Sequence, residues 1–248
     1  MTKVEDYRIK LHQLPSWEEF LIKESGLPGP RGNIELAQAV ADEGDRSLFE
    51  RYITDTADIA PVNSPYEFLA FCGVVGLGRL LAEGDLDLLK IIRAYASDPR
   101  WRIREAVAMA LQRLGEVNLE QLIEAMYEWS LGNAFEQRAA AAGLCEPRLL
   151  GDARVGQDVL CILDQITASI KQKKERRSEG FLALRKGLGY CWSVAVVALP
   201  EQGKTLMEKW LIDSDKDICW IMKENLKKNR LIRMDADWVK KWEKEIQQ

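Results

Sequence analysis

Hydrophobic positions recur at helical spacing along most of the chain. Between Trp101 and Leu114, the residues Ile103, Ala106, Val107, Ala110, Leu111 and Leu114 follow an i, i+3, i+4 rule, which lays one apolar stripe along a helix. The same spacing predicts helices over about 64–81, 85–96 and 118–130, and another opening near 132. Period-two alternation, the mark of a half-buried strand, is almost absent. The punctuation agrees. Ser64-Pro65 and Asp98-Pro99 set an N-cap residue before a proline at the first helical position, where a missing N–H costs nothing. Glu67 is placed to complete a capping box with Ser64. Ser16-Trp17-Glu18-Glu19 and Ser214-Asp215-Lys216-Asp217 read as further helix starts.

Three of these openings lie in one register. Ser64, Asp98 and Gly132 each follow the one before by 34 residues, and a fainter copy begins near Pro30. A constant step of this size marks a repeat whose unit is helix, short turn, helix. The segment Asp98–Leu111 (DPRWRIREAVAMAL) resembles the second helix of a HEAT repeat: an early Asp, a following Arg, and small residues where helices approach closely. The tetratricopeptide repeat shares the period, but its Trp, Leu-Gly, Tyr and Pro positions are not matched. The resemblance covers about 60–150. It implies an all-α fold, a right-handed α-α superhelix forming one HEAT-like domain over 1–248. Residues 1–30 would cap its start, 31–157 hold the best repeats, and 158–248 form longer, more basic helices over 159–177, 181–199, 204–212 and 217–228.

Composition narrows the chemistry. The 248 residues are 47% hydrophobic, with 35 Lys and Arg against 39 Asp and Glu, a net charge of −4. That is enough apolar matter for a real core. No run approaches about 18 uninterrupted apolar residues, so no membrane span is expected, and the first residues lack an apolar signal core. Five cysteines without a CxxC pair suit a reduced compartment, so the expected location is cytoplasmic. His12 is the only histidine, which leaves most His-dependent catalysis and most zinc sites without candidates; no metal or cofactor is expected. The charge is unevenly spread. Residues 1–160 carry 17 basic and 26 acidic side chains, and residues 161–248 carry 18 and 13. The basic excess gathers at Lys171, Lys173, Lys174, Arg176 and Arg177, then at Lys223, Lys227, Lys228, Arg230 and Arg233. Such a cluster is either a solvated helix end or an anion-binding patch.

Two glycine-containing motifs have bland readings. Ala198–Thr205 (ALPEQGKT) fits a relaxed phosphate-loop pattern. A phosphate loop needs a parallel sheet around it, however, and the flanking sequence is helical, so the reading is a helix ended by Pro200, a turn at Gly203 and a new helix, with no nucleotide bound. Gly73, Gly76 and Gly78 lie inside a repeat helix, where glycines permit close packing.

The segment Ser97–Val107 carries the sharper signal. Ser97-Asp98, then Trp101, then Arg104, then Ala106 and the β-branched Val107 resemble the groove-arginine repeat of the HEAT-like alkylpurine DNA glycosylases, a bacterial DNA-alkylation-repair family. The resemblance implies a DNA-binding concave surface with Arg104 on the phosphate backbone and Trp101 packing or stacking beside it. The family's catalytic Asp, with a Trp four residues before it, would fall around 65–70. This chain has Tyr66-Glu67-Phe68-Leu69-Ala70 there and no Asp, so no catalytic residue is assigned.

Two functions follow. The preferred one is a non-enzymatic module that binds a protein or peptide partner on its concave face, which predicts Arg102, Arg104 and Arg138 on that face. The alternative is a DNA-binding relative of the alkylpurine glycosylases using the basic C-terminal third, where Trp192, Trp220 and Lys223 join Trp101 as candidate contacts.

Overall fold

A computed structural model describes residues 2–246. Among them every regular element is helical, and the chain divides into two compact units, Met1–Asn118 and Leu119–Gln248.

The first unit holds α1 (Lys3–His12), α2 (Glu18–Glu24), α3 (Ile34–Glu43), α4 (Arg46–Ile53), α5 (Glu67–Ala82), α6 (Leu88–Tyr95) and α7 (Trp101–Val117). Alternate helices lie side by side: α1 packs on α3, α3 on α5 and α5 on α7, while α2, α4 and α6 also pack against α5. Most of α5 is therefore buried, and its glycines are where neighbours come closest. A Cβ on Gly73 would meet Ile53 and the Phe49 carbonyl at 2.8 and 2.9 Å, and one on Gly78 would press into Ala110 of α7. The close-packing reading of Gly73, Gly76 and Gly78 thus describes α5. The α7 stripe forms as expected: Ile103, Val107, Leu111 and Leu114 are all buried. Each contributes about 1.5–3 kcal/mol by leaving water.

The second unit holds α8 (Leu119–Ser130), α9 (Ala134–Leu144), α10 (Ala153–Ser169), α11 (Glu179–Ala198), α12 (Pro200–Leu211), α13 (Lys216–Leu226), α14 (Asn229–Met234) and α15 (Ala236–Glu245). Here α9, α11 and α13 form one row, backed by α8, α10 and α12. By length and composition α11 is apolar enough to cross a membrane, more than the uninterrupted-run test suggested; it is packed on α9, α10, α12, α13 and α14. At the end of the chain, Trp238 and Trp242 both donate to Glu208 Oε1, at 2.7 and 3.2 Å, which fastens α15 to α12.

Several boundaries differ from the sequence reading, each for a local reason. Asp98 is not the cap of α7: its carboxylate accepts from the Arg100 backbone N–H at 2.8 Å and from Arg100 Nε and Nη2 at 2.9 and 2.8 Å, so the helix starts at Trp101. Ser64 Oγ does accept from Glu67 N–H, at 3.3 Å, but the Glu67 carboxylate reaches the Asn63 N–H instead of closing the box. Asp152 caps α10 well before the expected start. That helix gives way to a 3-10 turn at Ile170–Gln172, where Arg176 folds back and donates to the carbonyls of Ile170 and Lys173. Pro200 sits at the first position of α12, so Gly203 is helical and not a turn. The phosphate-loop segment is a corner between two helices.

Candidate nucleic-acid interface

The row α9–α11–α13 in the second unit is held by small and polar residues on α11. Gly187 admits the Arg138 side chain, 3.3 Å from an ideal Cβ, and Gly189 admits the Trp220 ring at 3.2 Å. Asn225 of α13 is fully buried and spends its amide on α11: it accepts from the Ser193 N–H and donates to the Leu188 carbonyl, both at 2.8 Å. These contacts fix which α11 side chains face solvent. Leu182, Lys186 and Tyr190, spaced four apart, are exposed, as is Val197, seven residues or about two turns further on.

Around Tyr190 the surface is cationic. The Arg230 guanidinium lies over the Tyr190 ring, 4.5 Å from its centre, and Nη2 donates to the phenol oxygen. A groove of about 730 Å³ opens there, walled by Tyr190 and Val197 on α11 and by Lys227, Lys228, Arg230 and Arg233 at and beyond the end of α13. Lys227 is paired with Glu224 at 2.5 Å. Among the described residues Lys228 and Arg233 face no carboxylate partner, and neither do Lys186 and Lys223 on the adjoining helices. A second aromatic-cation pair, Arg185 over Trp220 at 4.5 Å, lies on the same row.

The other basic cluster is engaged differently. Arg176 pairs with Asp215 and Asp217, Arg185 with Asp217 and Lys171 with Asp213. Hydrogen bonding to Arg176 holds the Asp215 carboxyl below its ordinary pKa against the opposing effect of burial. Burial pushes the Lys173 ammonium down. Lys171 and Arg176 thus tie the 170–178 segment to the start of α13 and the residues just before it, and Arg185 ties α11 to the same place.

The residues expected on a binding face separate into three groups. Trp220 and Lys223 stand on the cationic row, and Arg138 lies half-buried against Gly187. Trp101 is 43% exposed, with the Arg102 guanidinium 4.4 Å from its ring centre. Arg102, Arg104 and Trp192 are buried, which corrects their placement on a surface. Arg102 donates to Glu67 Oε2 at 3.2 Å, Asn63 Oδ1 at 3.1 Å and the Gly29 carbonyl at 2.5 Å. Arg104 donates to the carbonyls of Asp98 and Pro99 at 2.6 and 3.1 Å, filling acceptors at the start of its own helix. Trp192 gives its indole N–H to Thr167 Oγ1 at 3.0 Å inside the core.

The acid position implied by the glycosylase resemblance is also closed. Glu67 has no exposed surface, its Oε2 accepts from Asn63 N–H and Arg102, and Oε1 has no partner. No group of three or more His, Cys, Asp or Glu side chains among the described residues is placed to hold a metal ion. Tyr190 was not singled out by the sequence reading. The available signal was the four-residue spacing of Leu182, Lys186 and Tyr190 in an otherwise apolar helix.

The fold is similar to that of AlkD2 from Streptococcus mutans. The crystal structure of that protein aligns with TM-score 0.61 over 90% of this chain and 98% of its own, at 19% identity. The likeness shows that the chain has the all-α, HEAT-like fold its repeats imply. No protein-family model matches the sequence, and no curated protein matches it.

Proposed function

We propose that this chain is a DNA-binding HEAT-like protein that holds the phosphate backbone on the α9–α11–α13 row of its second unit. The observation that carries this reading is the cationic groove at Tyr190, where Lys228, Arg230 and Arg233 meet an aromatic ring on a well-packed helix. Phosphates attract such a set without regard to sequence, and an exposed ring offers a base a stacking surface. The net charge of −4 does not oppose this, because the acidic excess lies in residues 1–160. The resemblance of Ser97–Val107 to the alkylpurine DNA glycosylases and the AlkD2-like fold support the same class of ligand.

The proposal does not include base excision through the family's acid position. Stabilising the positive charge that develops on the sugar as the base departs needs a carboxylate in contact with the nucleotide, and Glu67 is enclosed and bonded to Arg102. A protein partner docking on Arg102, Arg104 and Arg138 is less well supported, since two of those three arginines are buried.

Fluorescence anisotropy with undamaged, abasic and alkylated-purine duplexes tests the reading, with base release assayed on the last. Salt-sensitive binding, weakened by Lys228→Glu with Arg233→Glu, is expected, with no base release. Absence of binding at low salt, or binding indifferent to that variant, overturns the proposed site. Base release by the wild-type chain overturns the non-catalytic part.

A further inference from the structure

α8 carries two exposed stripes outside the cationic row. Leu122, Ala125, Met126 and Trp129 are buried, where α8 packs on α9 and α10. Ile123, Tyr127 and Leu131 recur every four residues on another side; Ile123 is half-buried, Tyr127 is 53% exposed and Leu131 67%. The Leu131 N–H donates to the Glu128 carbonyl at 3.1 Å, so a helical turn continues to that residue. Beside this stripe run Glu120, Glu124 and Glu128, also four apart and exposed. Among the described residues none of the three faces a Lys or Arg partner; the Glu124 carboxylate accepts from Gln121 at 3.4 Å.

The groove at Tyr190 complements this face. Lys228 and Arg233 are its unpaired cations, and Tyr190, Val197 and Met234 are its apolar wall. At 1.5 Å per helical residue, Val197 stands about 10 Å from Tyr190 along α11, and Leu131 about 12 Å from Ile123 along α8. Two apolar strips of similar length thus carry unpaired charge of opposite sign. No α8 residue lines the groove, so the two faces of one chain do not meet.

We propose that the α8 face of one copy docks in the Tyr190 groove of a second copy, burying the apolar strips and pairing Glu124 and Glu128 with Lys228 and Arg233. Exposed ion pairs contribute little each and salt screens them, so the association is weak and strengthens as salt is lowered. It uses the cations of the groove but does not rest on the DNA reading. A docked copy closes the groove to any other ligand, so self-association limits access to it.

Sedimentation equilibrium of the full chain, without nucleic acid and at low and physiological salt, tests this. The wild-type chain should associate as its concentration rises, and less at the higher salt. Glu124→Lys with Glu128→Lys reverses the α8 face, and Lys228→Glu with Arg233→Glu reverses the groove; each double variant alone should stay monomeric. Mixed in equal amounts the two should associate again, because each supplies the face the other lacks, and that recovery also shows that both fold. A wild-type chain that stays monomeric up to about 1 mM at low salt overturns the proposal. So do double variants that self-associate like the wild type, or that stay monomeric when mixed while keeping its circular dichroism. Tyr127→Ser with Leu131→Ser, both at exposed positions, tests the apolar strip without charge reversal: association as strong as that of the wild type overturns the proposal as well. Failure of duplex binding in the anisotropy titrations leaves all these outcomes unchanged.

Discussion

Arg102 donates to Glu67 at 3.2 Å from one repeat to the next, and both side chains are buried. The positions a DNA-contacting reading singles out are here used to hold α7 against α5 and against the loops carrying Gly29 and Asn63. Removing one member leaves the other charge enclosed and unpaired, which costs about 3–5 kcal/mol. Arg102→Met and Glu67→Met should each lower unfolding free energy by about that amount in urea titrations. The double variant should cost less than the sum by about 0.5–3 kcal/mol. Additive losses would mean that the pair is not coupled.

The groove at Tyr190 makes a prediction about salt. Each phosphate contact on duplex DNA contributes roughly 0.9 to the slope of log K against log salt. Replacing Lys228, Arg230 and Arg233 by Gln should flatten that slope stepwise as well as weaken binding. Replacing Lys171 and Arg176, which are paired with Asp213 and Asp215, should leave the slope near its wild-type value. Titrations from low to physiological salt distinguish these outcomes, and an equal effect from both sets would contradict the division between groove cations and structural cations.

The helices and their order were legible because burial at period 3.6 is a property of the chain itself. The 34-residue step added the repeat, and the glycines of α5 declared close packing. Side-chain fates were less legible. Asp98-Pro99 has the form of a cap, but Arg100, fully buried, takes the Asp98 carboxylate and donates to the Asp55 carbonyl at 2.7 Å as well. That bond crosses 45 residues, which no local pattern records. Arg102 and Trp192 look alike in sequence to Arg230 and Trp220, and only packing decides which are enclosed. Tyr190 escaped notice because α11 is so apolar that one exposed ring leaves little trace.

Stability should also depend on acid in a defined direction. The Asp215 carboxyl is held below its usual 3.8, first by its hydrogen bond from Arg176 and also by the N–H groups of Ile218 and Asp217. A depressed folded pKa adds stability that is complete above the unfolded value and disappears as pH falls through the folded one. The wild-type chain should therefore exceed Arg176→Met by most near neutral pH, and the gap should narrow below about 3.8. Bonds from Arg176 to the carbonyls of Ile170 and Lys173 do not titrate, so part of the gap remains. Urea midpoints measured across the acid range would show it; a gap constant with pH would remove Asp215 from the explanation.

Gly203 offers a test of the helix corner that replaced the expected turn. In an exposed helix, Gly to Ala stabilises by about 1 kcal/mol, because alanine loses less backbone freedom on folding. At Gly203 a Cβ would stand 2.7 Å from Val196 Cα and 3.2 Å from Val196 Cβ, both fixed within α11. Relief requires α12 to shift away from α11, and overpacking of this kind costs about 1–3 kcal/mol. Gly203→Ala should lower the melting temperature, whereas Gly151→Ala, with nothing within 4 Å of its Cβ, should leave it nearly unchanged. A stabilised Gly203→Ala would instead mean that the glycine lies in an open turn, and the phosphate-loop reading of Ala198–Thr205 would have to be reopened.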